Sequence, residues 1–425
     1  MNCENKMKQE IICSVIIPVY NEEEAIEQAL KALSAQGIKK ELFEIIIIDN
    51  NSTDRTIDKV NKFKLSHSEV NVVIISEKKQ GVAWARKSGM DLAVQRSKER
   101  DNAFKIVRPF YILSTDADCY VGHCWIEEQI NALQSSQAAL SVCHYYYPKE
   151  HFKSRPNLFY VIDLILKARH YVMPMFGGFP DGKGFAVLRE KYEKVKGIEI
   201  FYQLSQGKFV CHLSDDWDFG IKMRASGEDI IYCPNAQVYT NPRRVDHALS
   251  EMINGVAYGQ NGVITMCDIR NKQKSIQSDL TIMEAKLLFD FSIKDFTTKH
   301  IILPLLLTPM LLERQAIRDF LSPSLCQKLY LRIVQMTEEM RVKDFTPIHL
   351  YKTPCFRLYF EFMDAIFERM RMDIDDGIGY PPILPECLEN IKKNEPENYL
   401  SYVYYYCEDR ESGEAHNYFG NGGVF

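Results

Sequence analysis

Residues 110–118 read Phe-Tyr-Ile-Leu-Ser-Thr-Asp-Ala-Asp, a strand-like run that delivers Asp116 and Asp118 to the rim of a sheet. Two carboxylates one residue apart offer hard oxygen ligands. They suit a divalent cation that keeps several waters and takes its remaining ligands from the phosphates of a substrate. The competing reading is that the pair merely opens a turn, as aspartates often do after a strand. The neighbouring elements decide between the two.

Residues 13–20, Cys-Ser-Val-Ile-Ile-Pro-Val-Tyr, form a short apolar run rich in β-branched side chains, the pattern of a strand buried on both faces. Asn21 is placed to cap a helix, and Glu22, Glu23 and Glu24 favour its first turn through the helix dipole. Ile26, Leu30 and Leu33 make its apolar stripe to about Ala35, and Gly37 ends it. Residues 43–48 and 70–76 repeat the strand signal, each followed by a polar loop and a helix, the first to about Leu65 and the second over 81–94. Such alternation predicts an α/β fold with a mixed, mainly parallel sheet flanked by helices. Ligands of such sheets collect beyond the carboxyl ends of the strands. Tyr20 and Asn21, the loop from Asp49 to Asp54, and Asp116 to Asp118 all fall at that edge. No Gly-x-Gly-x-x-Gly and no Walker-type loop follows any strand, so neither a dinucleotide fingerprint nor a P-loop is present.

A chain of 425 residues exceeds one ordinary core, which predicts two domains or one large domain with an appendage. Its net charge of −5 gives no basis for a nucleic-acid partner. The 12 cysteines include no Cys-x-x-Cys pair, which fits a reducing compartment and a cytoplasmic location. The first ten residues lack the apolar core of a signal peptide. The most lipid-like run, residues 301–312, falls short of the roughly 20 residues that span a bilayer. Pro304 and Pro309 interrupt it, so it is expected to be buried or interfacial, with no transmembrane segment.

Residues 14–22 (Ser-Val-Ile-Ile-Pro-Val-Tyr-Asn-Glu), 47–54 (Ile-Ile-Asp-Asn-Asn-Ser-Thr-Asp), 81–86 (Gly-Val-Ala-Trp-Ala-Arg) and 114–118 (Ser-Thr-Asp-Ala-Asp) are followed by a fifth motif. This is Ser-Asp-Asp-Trp-Asp-Phe-Gly-Ile-Lys-Met-Arg over 214–224, with Gly227 after it. In order and spacing the five resemble the family 2 glycosyltransferases of the GT-A fold, over roughly residues 12 to 245. The resemblance implies an inverting transfer from a nucleotide-diphosphate sugar, with Mn2+ or Mg2+ as cofactor. It maps Pro18, Val19, Tyr20 and Glu22 along the nucleoside and Asp49 onto the base. Arg86 maps near the diphosphate or base, Asp116 onto the ribose or metal, and Asp118 onto the metal. Asp54 is left to helix capping, which is also the competing reading of Asp49. UDP- and GDP-linked donors both remain open, because a carboxylate at position 49 accepts from uracil or guanine.

Asp216 matches the family's catalytic base, the carboxylate that takes the proton from the acceptor hydroxyl as its oxygen attacks the anomeric carbon. Asp215, where the family usually carries Glu, is a departure that leaves the roles within Asp215, Asp216 and Asp218 unsettled; stabilising a helix N-terminus is the bland role for any of them. Residues 139–147 read as a further strand, 158–171 as a helix, and 230–233 and 236–240 as closing strands. The resemblance places an acceptor-side loop over the glycine-rich stretch 176–184, so Gly177, Gly178 and Lys183 are expected to border the acceptor together with Asp215 and Trp217; a plain surface turn is the alternative. Arg243 and Arg244 are of the type that neutralises a departing diphosphate, with solvated charge as the alternative. His247 is a candidate third metal ligand or a structural histidine.

The expected organisation is a flexible stretch over 1–11, a catalytic domain over 12–260, a helical region over 261–397, and an aromatic then loose tail over 398–425. The helical region is expected to pack on the catalytic domain; peripheral contact with the inner face of a membrane is the minority reading, weakened by mixed charges such as Glu338 and Arg341. The acceptor, whether sugar, lipid or metabolite, is not legible. A nucleotidyltransferase would carry a Gly-rich basic loop after the first strand, where Pro-Val-Tyr-Asn-Glu stands instead. A catalytically silent sugar-nucleotide binding protein has no need of both Asp118 and Asp216.

Overall fold

Continuous apolar runs make the central strands. In the computed structural model, β1 (Cys13–Val19) is buried at every position and β2 (Phe43–Asp49) at all but its last. Residues 10–200, 202–205, 208–211, 215–242 and 296–340 are described, with 245, 279–282, 285, 289, 293, 358, 361–370 and 386–399. The remaining strands are β3 (Asn71–Ser76), β4 (Tyr111–Ser114), β5 (Cys119–Val121), β6 (Leu140–Tyr146), β7 (Phe185–Leu188), β8 (Tyr202–Ser205), β9 (Lys208–Cys211) and β10 (Ile230–Thr240). Eight of them form one sheet in the order β3-β2-β1-β4-β7-β6-β10-β5, while β8 and β9 pair separately. The pairs β1–β2, β2–β3, β1–β4 and β6–β10 are parallel. Only β7 and the short edge strand β5 run against their neighbours. The sheet is therefore mixed and mainly parallel, as the alternation of motifs predicts.

The helices of this first unit are α1 (Ile26–Ser34), α2 (Thr56–Ser66), α3 (Val82–Phe104), α4 (Trp125–Ser136), α6 (Arg189–Lys194) and α7 (Asp215–Ala225). Helix α1 buries Ile26, Leu30 and Leu33 as expected. It begins later than Asn21 suggests: Asn21 takes a φ of 54° and spends its Oδ1 on the Thr53 N–H at 2.8 Å, so it ties two loops together and caps nothing. Helix α3 runs ten residues past the expected end at Val94. Its inward stripe continues as Ser97 and Arg100, buried polar groups that an apolar count does not register. The two closing strands are one, β10, whose register with β6 shifts between Cys233 and Gln237.

Two compact units divide the chain: residues 10–146 with 179–241, and residues 147–178 with the described residues from 242 onward. The sequence places the boundary near 260. Two things differ: α5 (Pro156–Phe176) belongs to the second unit, and that unit resumes at Pro242. That unit also contains a π-helical turn (Thr298–Ile302), α8 (Leu303–Leu307), α9 (Gln315–Leu321), α10 (Pro323–Met340), a helical piece over 361–370 and α11 (Glu386–Asn394). Ile301 to Leu306 is buried, and the Phe320 ring sits edge-on to Phe176 and Tyr171 at 6.2 and 6.0 Å. Among the described residues no helix is long and apolar enough to cross a membrane.

Candidate active site

Helix α3 starts where it does because Asn50 holds the loops after β2 and β3 together. Its Nδ2 donates to the carbonyls of Glu77 and Lys79 at 2.9 and 2.7 Å, and its Oδ1 accepts from Gly81 N–H at 2.7 Å. Gly81, at φ 137°, then turns the chain into the helix. One turn later Arg86 points inward and is 2% exposed. Its Nε donates to Ser114 Oγ at 3.3 Å, its Nη2 to Asp116 Oδ1 at 2.7 Å and its Nη1 to Asp215 Oδ2 at 2.5 Å. One guanidinium thus joins the end of β4 to the start of α7, about a hundred residues on.

Both arms of that fork end on acids. The sequence maps Arg86 near the diphosphate or base; here two carboxylates and a hydroxyl occupy it. Asp215, expected beside the acceptor, gives one oxygen to Arg86, while its Oδ1 is buried with no hydrogen-bond partner among the described residues. Asp216 follows directly. Burial pushes its carboxyl well above the usual carboxylate range, and Asp215, Asp116 and Asp181 push the same way; Arg86 opposes them. Asp118 and Asp216 are each 9% exposed, against 2% for Asp215 and 3% for Asp218, and Asp116 is half-buried.

The glycine-rich stretch divides in two. Gly177 and Gly178, at φ 83° and 74°, end α5 in the second unit. From Phe179 on, the stretch belongs to the first unit and packs on α7: the Phe179 ring stacks on Trp217 at 4.7 Å. Trp217, expected at the acceptor, is 8% exposed and serves this packing. Gly182 lies against the Asp-x-Asp loop. Its carbonyl accepts from Asp116 N–H at 2.7 Å, and a Cβ there would come within 2.1 Å of Asp116 Oδ2. A side chain there would have to push that carboxylate aside, away from Arg86. Thr115 Oγ1 donates to the Lys183 carbonyl at 2.8 Å, and Lys183 Nζ lies 4.3 Å from the centre of the Tyr145 ring.

On the other side of β4, Pro18 and Val19 are buried within β1, and the Val19 carbonyl accepts from Asn50 N–H at 2.9 Å. Of the four residues expected along the nucleoside, only Tyr20 (50% exposed) and the half-buried Glu22 reach the surface. Asp49 spends its Oδ1 on Ser52 N–H at 3.0 Å. Asp54 accepts from the N–H groups of Thr56 and Glu23 at 2.9 and 3.0 Å, the capping role the sequence gives it. Arg243, Arg244 and His247 lie outside the described residues.

Among the described residues no three or more His, Cys, Asp or Glu side chains converge as a ready metal cage. Asp118, with Asp116 beside it, offers only carboxylate oxygen. That donor set fits Mg2+ or Mn2+, which takes one or two carboxylates from protein and the rest from phosphate and water. Asp118 is steadied by its neighbours: Cys119 Sγ lies 3.6 Å from its Oδ1 and donates to Thr240 Oγ1 at 3.4 Å, and its carbonyl accepts from Asn241 N–H at 3.2 Å. The bridging of Asp116 to Asp215 by Arg86, which the sequence gives to the donor side, and the loop-joining role of Asn50 are what the sequence did not assign. Both residues stand inside the motifs over 47–54 and 81–86, but neither motif says which protein groups they hold together.

The profile of Glycosyl transferase family 2 matches residues 14–195. A poly(ribitol-phosphate) beta-glucosyltransferase of Bacillus spizizenii is 38% identical over 109 residues, 26% of this chain and 15% of that protein. A UDP-Glc:alpha-D-GlcNAc-diphosphoundecaprenol beta-1,3-glucosyltransferase of Escherichia coli is 30% identical over 154 residues, 35% of this chain and 54% of that protein. The chain thus spans well under two thirds of the length of these relatives. Among solved structures, a mannosyltransferase of Pyrobaculum calidifontis in complex with GDP-Man and Mn2+ is 14% identical with a TM-score of 0.40, covering 95% of this chain and 87% of that one.

Proposed function

We propose that this chain, which belongs to glycosyl transferase family 2 through residues 14–195, transfers a sugar with inversion from a nucleotide-diphosphate donor to an acceptor hydroxyl in glycan or glycopolymer synthesis. The observation that carries this reading is the Arg86 bridge, which binds the Asp-x-Asp loop to the acidic start of α7. Asp216, kept largely from water and crowded by acids, is a stronger base than a solvated aspartate once ionised, and its affinity for protons is raised toward the range where general bases work best. It takes the proton of the attacking hydroxyl, while Arg86 limits the repulsion among the carboxylates. A divalent cation held by Asp118 and Asp116 would supply charge neutralisation for the diphosphate as it departs. The relatives named for glucosyl transfer to poly(ribitol phosphate) and to a diphosphoundecaprenol-linked sugar support a polymeric or lipid-linked acceptor.

The test is release of nucleoside diphosphate from UDP-glucose or GDP-mannose with Mn2+, alongside thermal stabilisation by the same donors. Asp216→Asn is expected to lower turnover by about 10²–10⁴-fold and leave donor stabilisation intact. Turnover close to that of the unaltered chain would sink the assignment of the base.

A further inference from the structure

Three tyrosines next to the Asp-x-Asp loop have no part in the chemistry above. In the register of β6, β10 and β5, Tyr146 stands opposite Tyr239, and Tyr239 opposite Tyr120. Directly opposed residues on neighbouring strands share a face, so the three side chains form a row across the end of the sheet. The Tyr239 and Tyr120 rings lie 5.5 Å apart and 13° from parallel; Tyr146 and Tyr239 are 6.0 Å apart. The row has a closed base. On the same face, nearer the strand starts, His144 and Tyr232 are 2% and 4% exposed and share a hydrogen bond between the Tyr232 hydroxyl and His144 Nδ1. The His144 ring then meets Tyr146 edge-on at 4.2 Å.

The rim is different. Tyr239 is 38% exposed, and Tyr120 and Tyr146 are half-buried. Tyrosines that serve the core of this unit do not look like this: Tyr145 and Tyr192 are 1% and 2% exposed. The row also begins where the reaction does. Strand β5 starts one residue after Asp118, whose carbonyl continues the pairing with β10 through Asn241.

We propose that Tyr120, Tyr239 and Tyr146 are a stacking platform for the saccharide part of the acceptor. A pyranose presents a face of C–H groups carrying slight positive charge, which the negative face of an aromatic ring attracts while both surfaces lose water. The phenolic hydroxyls at the rim can exchange hydrogen bonds with the ring hydroxyls of the sugar. Two ring spacings, 5.5 and 6.0 Å, let more than one sugar residue touch the row. The buried His144–Tyr232 base backs the Tyr146 ring, and the row's own ring contacts hold the other two, so less order is lost on binding. Continuity with Asp118 is what selects a saccharide at this position, and the inference rests on the transferase reading.

Saturation-transfer NMR on the full chain tests it, with methyl β-glucopyranoside, cellobiose and N,N′-diacetylchitobiose as probes. Saturation of ring C–H protons is expected for at least one probe, in the unaltered chain and in Asp216→Asn alike. It is expected to fall several-fold in Tyr239→Ala and to persist in Tyr239→Phe. Stabilisation by UDP with Mn2+ should be the same in all, which shows that the variants fold and that the nucleotide site is untouched. The proposal is overturned if no probe is saturated, if Tyr239→Ala matches the unaltered chain, or if UDP alone displaces the probe, which would make the row a base platform. It is also overturned if light scattering shows a dimer that Tyr239→Ala dissociates, since the row would then cover a second copy. A chain whose Tyr239→Ala variant loses the saccharide while Asp216→Asn keeps full turnover would retain the platform and lose the proposed base.

Discussion

Helix α3 carries an arginine cluster at each end, and the two have opposite charge balance. Near its C-terminal end, Arg96 and Arg100 converge on Glu44 at the start of β2, a carboxylate with no exposed surface. Glu44 accepts from Arg96 at 2.8 and 3.1 Å, from Arg100 at 3.1 Å and from Ser14 Oγ at 2.8 Å. Near its N-terminal end, the single guanidinium of Arg86 faces Asp116 and Asp215, with Asp216 beyond. Two cations for one acid leave the carboxylate fully engaged, while Arg100 Nε and Nη2 have no hydrogen-bond partner among the described residues. Among the described residues one cation faces three acids at the other end, a balance that favours further positive charge at the site and a partner for the Asp215 oxygen. The first lies at the strand starts and the second past their ends, where ligands of parallel sheets bind.

The largest effect of breaking this contrast is expected on stability, at the Glu44 joint. Glu44→Ala leaves two guanidiniums facing each other with one of them, Arg100, only 4% exposed. Removing one side of such a buried arrangement costs about 3–5 kcal/mol. Chemical denaturation should show that loss, while the fraction that remains folded should bind UDP and Mn2+ as before. A variant that is as stable as the unaltered chain would mean the joint is incidental.

A smaller effect is expected at the Arg86 cluster. Arg86→Lys keeps the charge but gives up the planar fork that reaches Asp116 and Asp215 at once. Because Arg86 is the group that holds the Asp216 carboxyl down, its loss of grip should move the acidic limb of the kcat/KM profile to higher pH. At neutral pH kcat/KM should fall about 10-fold, roughly 1.4 kcal/mol. A uniform fall across the pH range, with no movement of the limb, would make Arg86 a purely structural brace.

Most of the sheet was legible because β1, β2 and β4 are apolar runs whose burial demands a central place. The carboxylates at their ends were legible as residues of the sheet rim, because a buried apolar run gives way to polar residues where the strand leaves the core. Other features were hidden for physical reasons. Arg86 reads as a ligand-facing cation in a motif, yet its partners are protein acids that only the sheet order brings together. The far half of α3 is masked by Ser97 and Arg100, buried polar groups whose partners, Arg189 and Glu44, lie on other elements. Tyr120, Tyr146 and Tyr239 sit in strand-like stretches where a tyrosine is ordinary, and only the register across β6, β10 and β5 lines them up. Gly182 falls in the stretch expected to border the acceptor, whereas what its lack of a side chain permits is the close approach of the Asp116 carboxylate.

The two clusters also predict opposite responses of stability to pH, and this is the smallest and most discriminating effect. For Glu44, burial alone would raise the carboxyl, but Arg96, Arg100 and Ser14 outweigh it and hold the carboxyl below the usual range. Its stabilisation is complete above the unfolded value and is lost as pH falls through the lowered folded value. For Asp216 the sign reverses. The folded chain binds the proton more tightly than the unfolded chain, so stability declines as pH rises through the window between the ordinary aspartate value and the raised folded one. Asp216→Asn removes that decline because an amide does not ionise. The variant should therefore melt about 2–4 °C above the unaltered chain at pH 8, and the gap should close toward pH 4, where the unaltered side chain is also uncharged. Calorimetry without donor or metal across that range is the measurement. A gap that stays constant with pH would reflect packing at position 216, and a gap of the opposite sign would mean that the carboxylate is stabilised where it stands, contrary to a cluster short of positive charge.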